Sequence, residues 1–151
     1  RAHRPPKDSG SHCGGWYAAH GLYRPEELNG LPIGTFCKAV SAEGCSTSPG
    51  CNFALHLHPL YNEADIYGHG KPTRIANASR DVREGPGSLP ITEQMQGWCY
   101  SVPWFKHYRP QVIEEHAAAF RKVAEHADEL IAEFGTEGGE VKGSAGLFNR
   151  G

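Results

Sequence analysis

The run Leu55-His56-Leu57-His58-Pro59-Leu60-Tyr61 places two imidazoles and a phenol where they could bind a ligand, pass a proton or hold a metal. Around it, residues 55–110 gather four of the nine histidines, two of the three tryptophans and four of the six tyrosines. Rings and imidazoles at that density line pockets, so the stretch is expected to form half of an active site. Residues 51–58 are expected to be a strand, from which His56 and His58, two apart, leave on one face. Cys51 or His69 could then complete a metal set. A zinc site, however, needs three or four convergent ligands with partners behind them, and no cysteine pair here has finger-like spacing. Two histidines packed at a subunit or domain interface are the expectation, with no metal.

Tyr67-Gly68-His69-Gly70-Lys71-Pro72-Thr73-Arg74 combines a flexible backbone with three potentially cationic side chains. Glycine lets such a loop approach an anion closely while Lys71 or Arg74 supplies charge. The glycine spacing is wrong for a P-loop, and Pro72 follows the lysine. A solvated surface turn is the alternative. Trp104 and Phe105 enter the last helix and are expected to staple it to the sheet as core, leaving His107 as the ligand candidate of that group. Glu114-Glu115-His116 and Glu125-His126 are expected on the polar face of the same helix. No Ser/His/Asp or Cys/His nucleophile arrangement is visible.

Elements must hold these residues in place. Aromatic-rich residues 14–23 are expected to form a first strand, and residues 25–28 a turn. From Leu31-Pro32 a helix opens in which Ile33, Phe36, Cys37 and Val40 recur at three- and four-residue intervals, with Pro32 suited to its first position and Gly44 to its end. With a second strand at 51–58 this makes a strand, helix, strand unit. Residues 61–88 have no sustained period and are expected to be a long loop, which inside a compact domain is usually functional or disordered. Residues 91–96 suit about one helical turn, and 98–102 a third strand closed by Pro103. The longest periodic segment is 110–134, where Val112, Ile113, Ala117, Phe120, Val123, Ala124, Ala127, Leu130, Ile131 and Phe134 form one stripe between Pro110 and Gly135. Residues 1–13, basic and broken by Pro5-Pro6, are expected to be a linker or disordered start. Residues 135–151, rich in glycine, are expected to be a mobile tail unless Leu147 and Phe148 dock.

At 151 residues the chain is the size of one domain, while 19 glycines and 11 prolines imply long loops around a modest core. A formal charge of −2, spread along the chain, leaves no electrostatic footprint for nucleic acid or an anionic membrane. Five cysteines, Cys13, Cys37, Cys45, Cys51 and Cys99, cannot all pair within one chain, and reduced thiols in a cytoplasm fit best. Asn77-Ala78-Ser79 is therefore expected to be a chance sequon. A chain that opens at Arg1, with Met95 its only methionine, is expected to be cut or trimmed from something longer.

The order of several short motifs carries a resemblance. Gly15-Trp16-Tyr17, Pro25-Glu26-Glu27-Leu28, Ala42-Glu43-Gly44, Pro49-Gly50-Cys51-Asn52, Leu55-His56-Leu57-His58-Pro59-Leu60-Tyr61 and Ser101-Val102-Pro103-Trp104-Phe105 lead in turn to the terminal helix. Over residues 14–134 this succession resembles the C-terminal small domain of the DegT/DnrJ/StrS sugar aminotransferases, pyridoxal-phosphate enzymes of fold type I. The resemblance implies a homodimer whose N-terminal large domain holds pyridoxal phosphate while the C-terminal domain closes over the substrate. It implies transfer of an amino group from glutamate or glutamine to a keto-sugar or keto-cyclitol. None of the six lysines, Lys7, Lys38, Lys71, Lys106, Lys122 and Lys142, matches the family's cofactor lysine, so the chain alone is not expected to transaminate or to bind the cofactor. In this family the Leu-His-Pro-Leu type segment runs along the substrate opening. His58 and Tyr61 are therefore the foremost substrate-side candidates, with His56, Arg74 and His107 behind them. The excursion after Asn62 is longer than in compact members, which leaves the substrate class open.

The expected architecture is α+β, a small mainly antiparallel sheet with helices packed on one face. The expected function is the substrate-side portion of an aminotransferase whose N-terminal cofactor-binding domain is missing here. A free-standing sugar- or anion-binding module with the same fold, holding its ligand near His58 and Arg74, is the alternative. A histidine-rich metal protein is the third reading.

Overall fold

The computed structural model describes residues 10, 18–72 and 75–137. Apart from Gly10, the expected linker start lies outside them, as do residues 14–17 of the expected first strand, Arg74, and the tail from 138 onward. The chain is a mixed α+β unit. Strand β1 (Ala19–Leu22) is followed by a 3-10 turn (Pro25–Leu28) and helix α1 (Ile33–Ala42). A second 3-10 turn (Leu55–Leu57) leads to the short helix α2 (Pro59–Asn62). Helix α3 (Pro90–Trp98), strand β2 (Cys99–Val102) and helices α4 (Pro110–Glu125) and α5 (Ala127–Phe134) complete it. No helix among the described residues is long and apolar enough to cross a membrane.

β1 and β2 pair antiparallel, with Ala19 opposite Val102 and Leu22 opposite Cys99. Gly21 faces Tyr100, and a Cβ on Gly21 would fall 2.1 Å from the tyrosine ring. Glycine is thus required for Tyr100 to lie across its neighbour strand. The Tyr100 ring then meets Phe36 of α1 at 5.7 Å and Phe120 of α4 at 5.6 Å, while Tyr23 stacks on Phe36 at 5.1 Å. Beneath these rings Leu31, Val40 and Cys45 are wholly buried, joined by Ile33, Cys37, Ala119, Val123 and Ala127. Each large apolar side chain removed from water here contributes roughly 1.5–3 kcal/mol. The Tyr23 hydroxyl, buried among them, donates to the Leu31 carbonyl at 2.6 Å.

Four expectations are corrected. First, residues 51–58 do not form a strand. Residues 47–50 instead run antiparallel beside β2, with Ser101 N–H donating to Ser48 O at 2.9 Å and Gly50 N–H to Cys99 O at 2.7 Å. Gly50, at φ +100°, turns the chain away at that point, a conformation side chains rarely adopt. Downstream, Pro59 cannot donate to a ladder, and the Asn62 side chain takes the carbonyls of His56 and His58 that a strand would have needed.

Second, residues 91–96 belong to a helix longer than one turn, α3, started by Pro90. Third, the stripe at 110–134 is two helices. His126 (φ −103°, ψ 24°) breaks it, and Asp128 and Glu129 stand in the first turn of α5, where carboxylates favour a helix N-terminus. The break lets Leu130 and Ile131 keep packing on the core cluster while Phe134 and Ile113, at the two ends of the stripe, remain exposed. Fourth, Trp104 is 57 % exposed and so is not core. Phe105 is half-buried, its ring 5.6 Å from His116.

Candidate functional site

His56 and His58 have different jobs because a 3-10 turn, unlike a strand, separates their directions. His56 is buried, 6 % exposed, and its Nε2 lies 2.9 Å from Glu93 Oε1 on α3. A buried imidazole needs such a partner. Glu93 also accepts from Gly87 N–H (2.8 and 3.0 Å) and from Leu89 N–H (3.2 Å) at the mouth of α3. These amides, foremost that of Gly87, together with His56, hold the Glu93 carboxyl below the usual range. Glu93 is therefore the clamp that ties the Leu55–Leu57 turn to the entrance of α3.

His58 is half-buried and caps α2, its Nδ1 accepting from Leu60 N–H at 3.1 Å. That bond leaves Nε2 to carry the proton of the neutral ring and to donate outward. Phe53 stands edge-on to the imidazole at 5.5 Å, and Tyr61 lies 6.0 Å away on the first turn of α2. The neighbouring Asn62 spends its amide N–H groups on His56 O (2.7 Å) and His58 O (3.2 Å), while its Oδ1 is buried with no partner among the described residues. His58 and Tyr61 thus offer a donor and a phenol on one turn, beside an aromatic ring, while the unpartnered Asn62 oxygen is shut away from solvent. Sequence reasoning named the first two. Asn62 was missed, and its only signal was an amide closing a Pro-initiated turn. Glu93 was missed as well, although a carboxylate three residues after Pro90 is a helix-start signal.

Behind this turn Arg83 forks onto Asp81 (2.7 to 3.1 Å) and donates from its third nitrogen to Asn62 O at 3.0 Å. The guanidinium and the Arg83 amide lower Asp81 to about 2. Gln96 performs the same service upstream, donating to Cys51 O and Asn52 O at 2.8 Å each and accepting from Cys51 N–H at 3.3 Å.

The other candidates do not join this group. His107 is exposed, and no bond ties it to the His58 turn among the described residues. Arg74 lies outside the described residues. In the Tyr67-Gly68-His69-Gly70 stretch the amides of His69 and Gly70 are already bound by Asp65, at 3.1 and 2.7 Å, so an internal carboxylate occupies the place considered for an anion. Lys38, Lys71, Lys106 and Lys122 are all exposed, and Lys122 is engaged by Glu43 at 2.8 Å. None fits the part of a cofactor-holding amine, which requires a desolvated setting. No cluster of three metal-ligating side chains occurs among the described residues.

Two clefts lie elsewhere among the described residues. One of about 730 Å³ runs between α1 and α4–α5, past Ala39, Val123 and Leu130, and one of about 460 Å³ lies over Leu22, Tyr100 and Phe120. Neither includes His56, His58, Tyr61 or His107. The first is an apolar gap between helices rimmed by Lys38, Glu43, Lys122, His126 and Glu129, and the second lies between the β1–β2 sheet and helices α1 and α4. The His58 turn is an open face, flanked in sequence by exposed Leu55 (64 %), Leu60 (45 %) and Ile66 (59 %). Scans against protein-family models, curated proteins and solved structures return no match.

Proposed function

We propose that this chain is the substrate-side, C-terminal portion of a pyridoxal-phosphate-dependent aminotransferase of the DegT/DnrJ/StrS type, acting on a keto-sugar or keto-cyclitol. The carrying observation is the polar turn at His58 and Tyr61. It presents an imidazole donor and a phenol beside the Phe53 ring, a mixture that suits a polyol. Exposed Leu55, Leu60 and Ile66 next to it support a further domain that would cover this face and complete the site. Pyridoxal phosphate would be held by that N-terminal domain and supply the electron sink for amino transfer. His58 and Tyr61 would orient sugar hydroxyls, and His56, through Glu93, would fix the turn. The intact enzyme would be a homodimer.

A free-standing sugar-binding module is the second reading, favoured by the half-exposed His58 imidazole and Tyr61 phenol, which stand together without a second domain. The two separate on the source DNA. If the open frame continues upstream of Arg1 for a large domain, the longer protein is expected to absorb as bound pyridoxal phosphate and to lose that absorbance when one upstream lysine is replaced. In it, His58→Ala and Tyr61→Phe are expected to lower kcat/KM for the keto-sugar about tenfold to a hundredfold, leaving cofactor absorbance intact. A start codon beside Arg1 would overturn the aminotransferase reading and leave the module.

A further inference from the structure

We propose that Cys51 and Cys99 are a redox-sensitive pair that closes into a disulfide, clasping the base of the excursion that carries the candidate site. The inference does not depend on the aminotransferase reading. Its geometry begins with the backbone. Pro49 and Tyr100 form an antiparallel bridge, Gly50 N–H donates to Cys99 O at 2.7 Å, and Cys51 is the next residue along. In that register Gly50 stands opposite Cys99, where paired Cα atoms lie about 4.5–5.5 Å apart, and Cys51 is its diagonal neighbour, swung off the strand line by the turn at Gly50 (φ +100°); a disulfide tolerates about 4.4–6.8 Å between its Cα atoms. The Gln96 side chain pins Cys51 by both its N–H and its carbonyl, and does so from the last turn of α3, directly ahead of Cys99. The two thiols also lie near enough to influence one another. Burial first, and then the neighbouring Cys51 thiol with its hydrogen bond, push the Cys99 thiol up.

Exposure divides the roles. Cys51 is half-exposed while Cys99 is buried. A small disulfide such as oxidised glutathione reaches Cys51, whose thiolate attacks it, forming a mixed disulfide and releasing one glutathione thiolate. Cys99 then gives up its proton, its sulfur attacks that of Cys51, and the second glutathione leaves. Two protein thiols are oxidised by two electrons in all, and one glutathione disulfide is reduced to two glutathiones. The alternative described pair, Cys37 and Cys45, is buried on both members, with burial raising Cys37 to about 11 and also raising Cys45. Neither of those sulfurs offers an oxidant a first point of attack.

The bond would close residues 52–98 into one loop, and that loop contains His56, His58, Tyr61, Asn62, Asp81 and Glu93. Oxidation would thus fix the candidate site to the first residue of β2, outside the cluster built on Leu31, Phe36 and Val40. The test is equilibration of the full chain in buffers of graded reduced-to-oxidised glutathione ratio, followed by digestion and mass spectrometry without reduction. One linked species, with fragment ions that assign the bond to Cys51 and Cys99, is expected to dominate, together with loss of two free thiols. Cys51→Ser is expected to remove the linked species and leave Cys99 free. In urea, where the bridge is gone, the share of this pairing is expected to fall several-fold. Accumulation of glutathione on Cys51 with Cys99 still free would overturn the proposal. So would a dominant link through Cys45, or a Cys51–Cys99 yield that is the same in urea.

Discussion

The molecule has two regions held by different forces. The packed region, made of β1, β2, α1, α4 and α5, rests on burial. Leu31, Val40 and Cys45 are fully enclosed, and four rings from Tyr23, Phe36, Tyr100 and Phe120 touch in sequence. Among the described residues, the excursion between Gly50 and Pro90 contributes only Ala54, His56 and Ala76 to the buried set. It is held instead by side chains that capture backbone: Glu93 on Gly87 and Leu89, Asn62 on His56 and His58, Arg83 on Asn62, and Asp65 on His69 and Gly70. Burial is cooperative and tolerates small shifts of many contacts, whereas a hydrogen-bonded clamp can be released by one substitution or one proton. The candidate site sits in the second kind of region, where local opening is least costly.

The strongest way to break this contrast is to excavate the core. Phe36 touches Tyr23, Tyr100 and Phe120, so Phe36→Ala leaves a cavity that no single neighbour fills. A loss of about 3–5 kcal/mol is expected in urea unfolding, a large part of the roughly 5–15 kcal/mol that stabilises a domain of this size. A loss below about 1 kcal/mol would mean that the aromatic cluster is not the keystone of the packed region.

Much of the packed region was legible in the sequence, and most of the excursion was not, for a related reason. The α1 stripe of Ile33, Phe36, Cys37 and Val40 is a periodic signal, and each of those residues is buried. Strand β2 and the start of α4 at Pro110 were equally visible, because apolar pattern and proline position act locally. The break at His126 was hidden, since the apolar period runs straight through it and only tertiary packing decides which side of Ala127 faces the core. In the excursion His58 and Tyr61 stand on one turn, although the sequence pattern placed them in a strand and a loop. The partner of His56 is Glu93, 37 residues away, and the sequence carries no mark of that pairing. Residues 51–58 looked like a strand because rings and aliphatic residues alternate there, but side-chain clamps on the carbonyls outweighed that pattern.

The regions also differ in which end of the pH scale loosens them. Glu93 and Asp81 have carboxyls held below 4.5 and 3.8 respectively, so their contributions are complete above those values and are lost as pH falls through the folded values. In the packed region Tyr23, Tyr100 and Cys37 are raised, so their contributions are complete below 10.0 for the tyrosines and 9.0 for the thiol and are lost as pH rises, for Cys37 up to about 11. Acid is therefore expected to open the excursion before the core, and alkali the reverse. Amide exchange at Gly87 and Leu89 compared with Cys45, whose N–H is bound by Val40 O at 3.2 Å, is the measurement. Parallel loss of protection at all three sites as pH falls below 4.5 would erase the distinction. Glu93→Gln sharpens it, since the substitution mimics protonation at neutral pH. Exchange at Gly87 and Leu89 is expected to quicken about tenfold while Cys45 is unmoved.

The smallest effect belongs to an interaction that looks strong. Lys122 Nζ lies 2.8 Å from both oxygens of Glu43, joining α4 to the end of α1 beside the larger cleft. Its side chain is 59 % exposed and that of Glu43 37 %, so water and salt screen the attraction, and holding the long lysine chain in one rotamer offsets part of what remains. Lys122→Ala is expected to cost less than about 1 kcal/mol at low salt and nearly nothing at 1 M salt. A cost of several kcal/mol that survives high salt would mean that α1 and α4 are joined by charge as well as by burial. The packed region would then depend on the same kind of clamp as the excursion, and the division drawn between them would fail where the two helices meet.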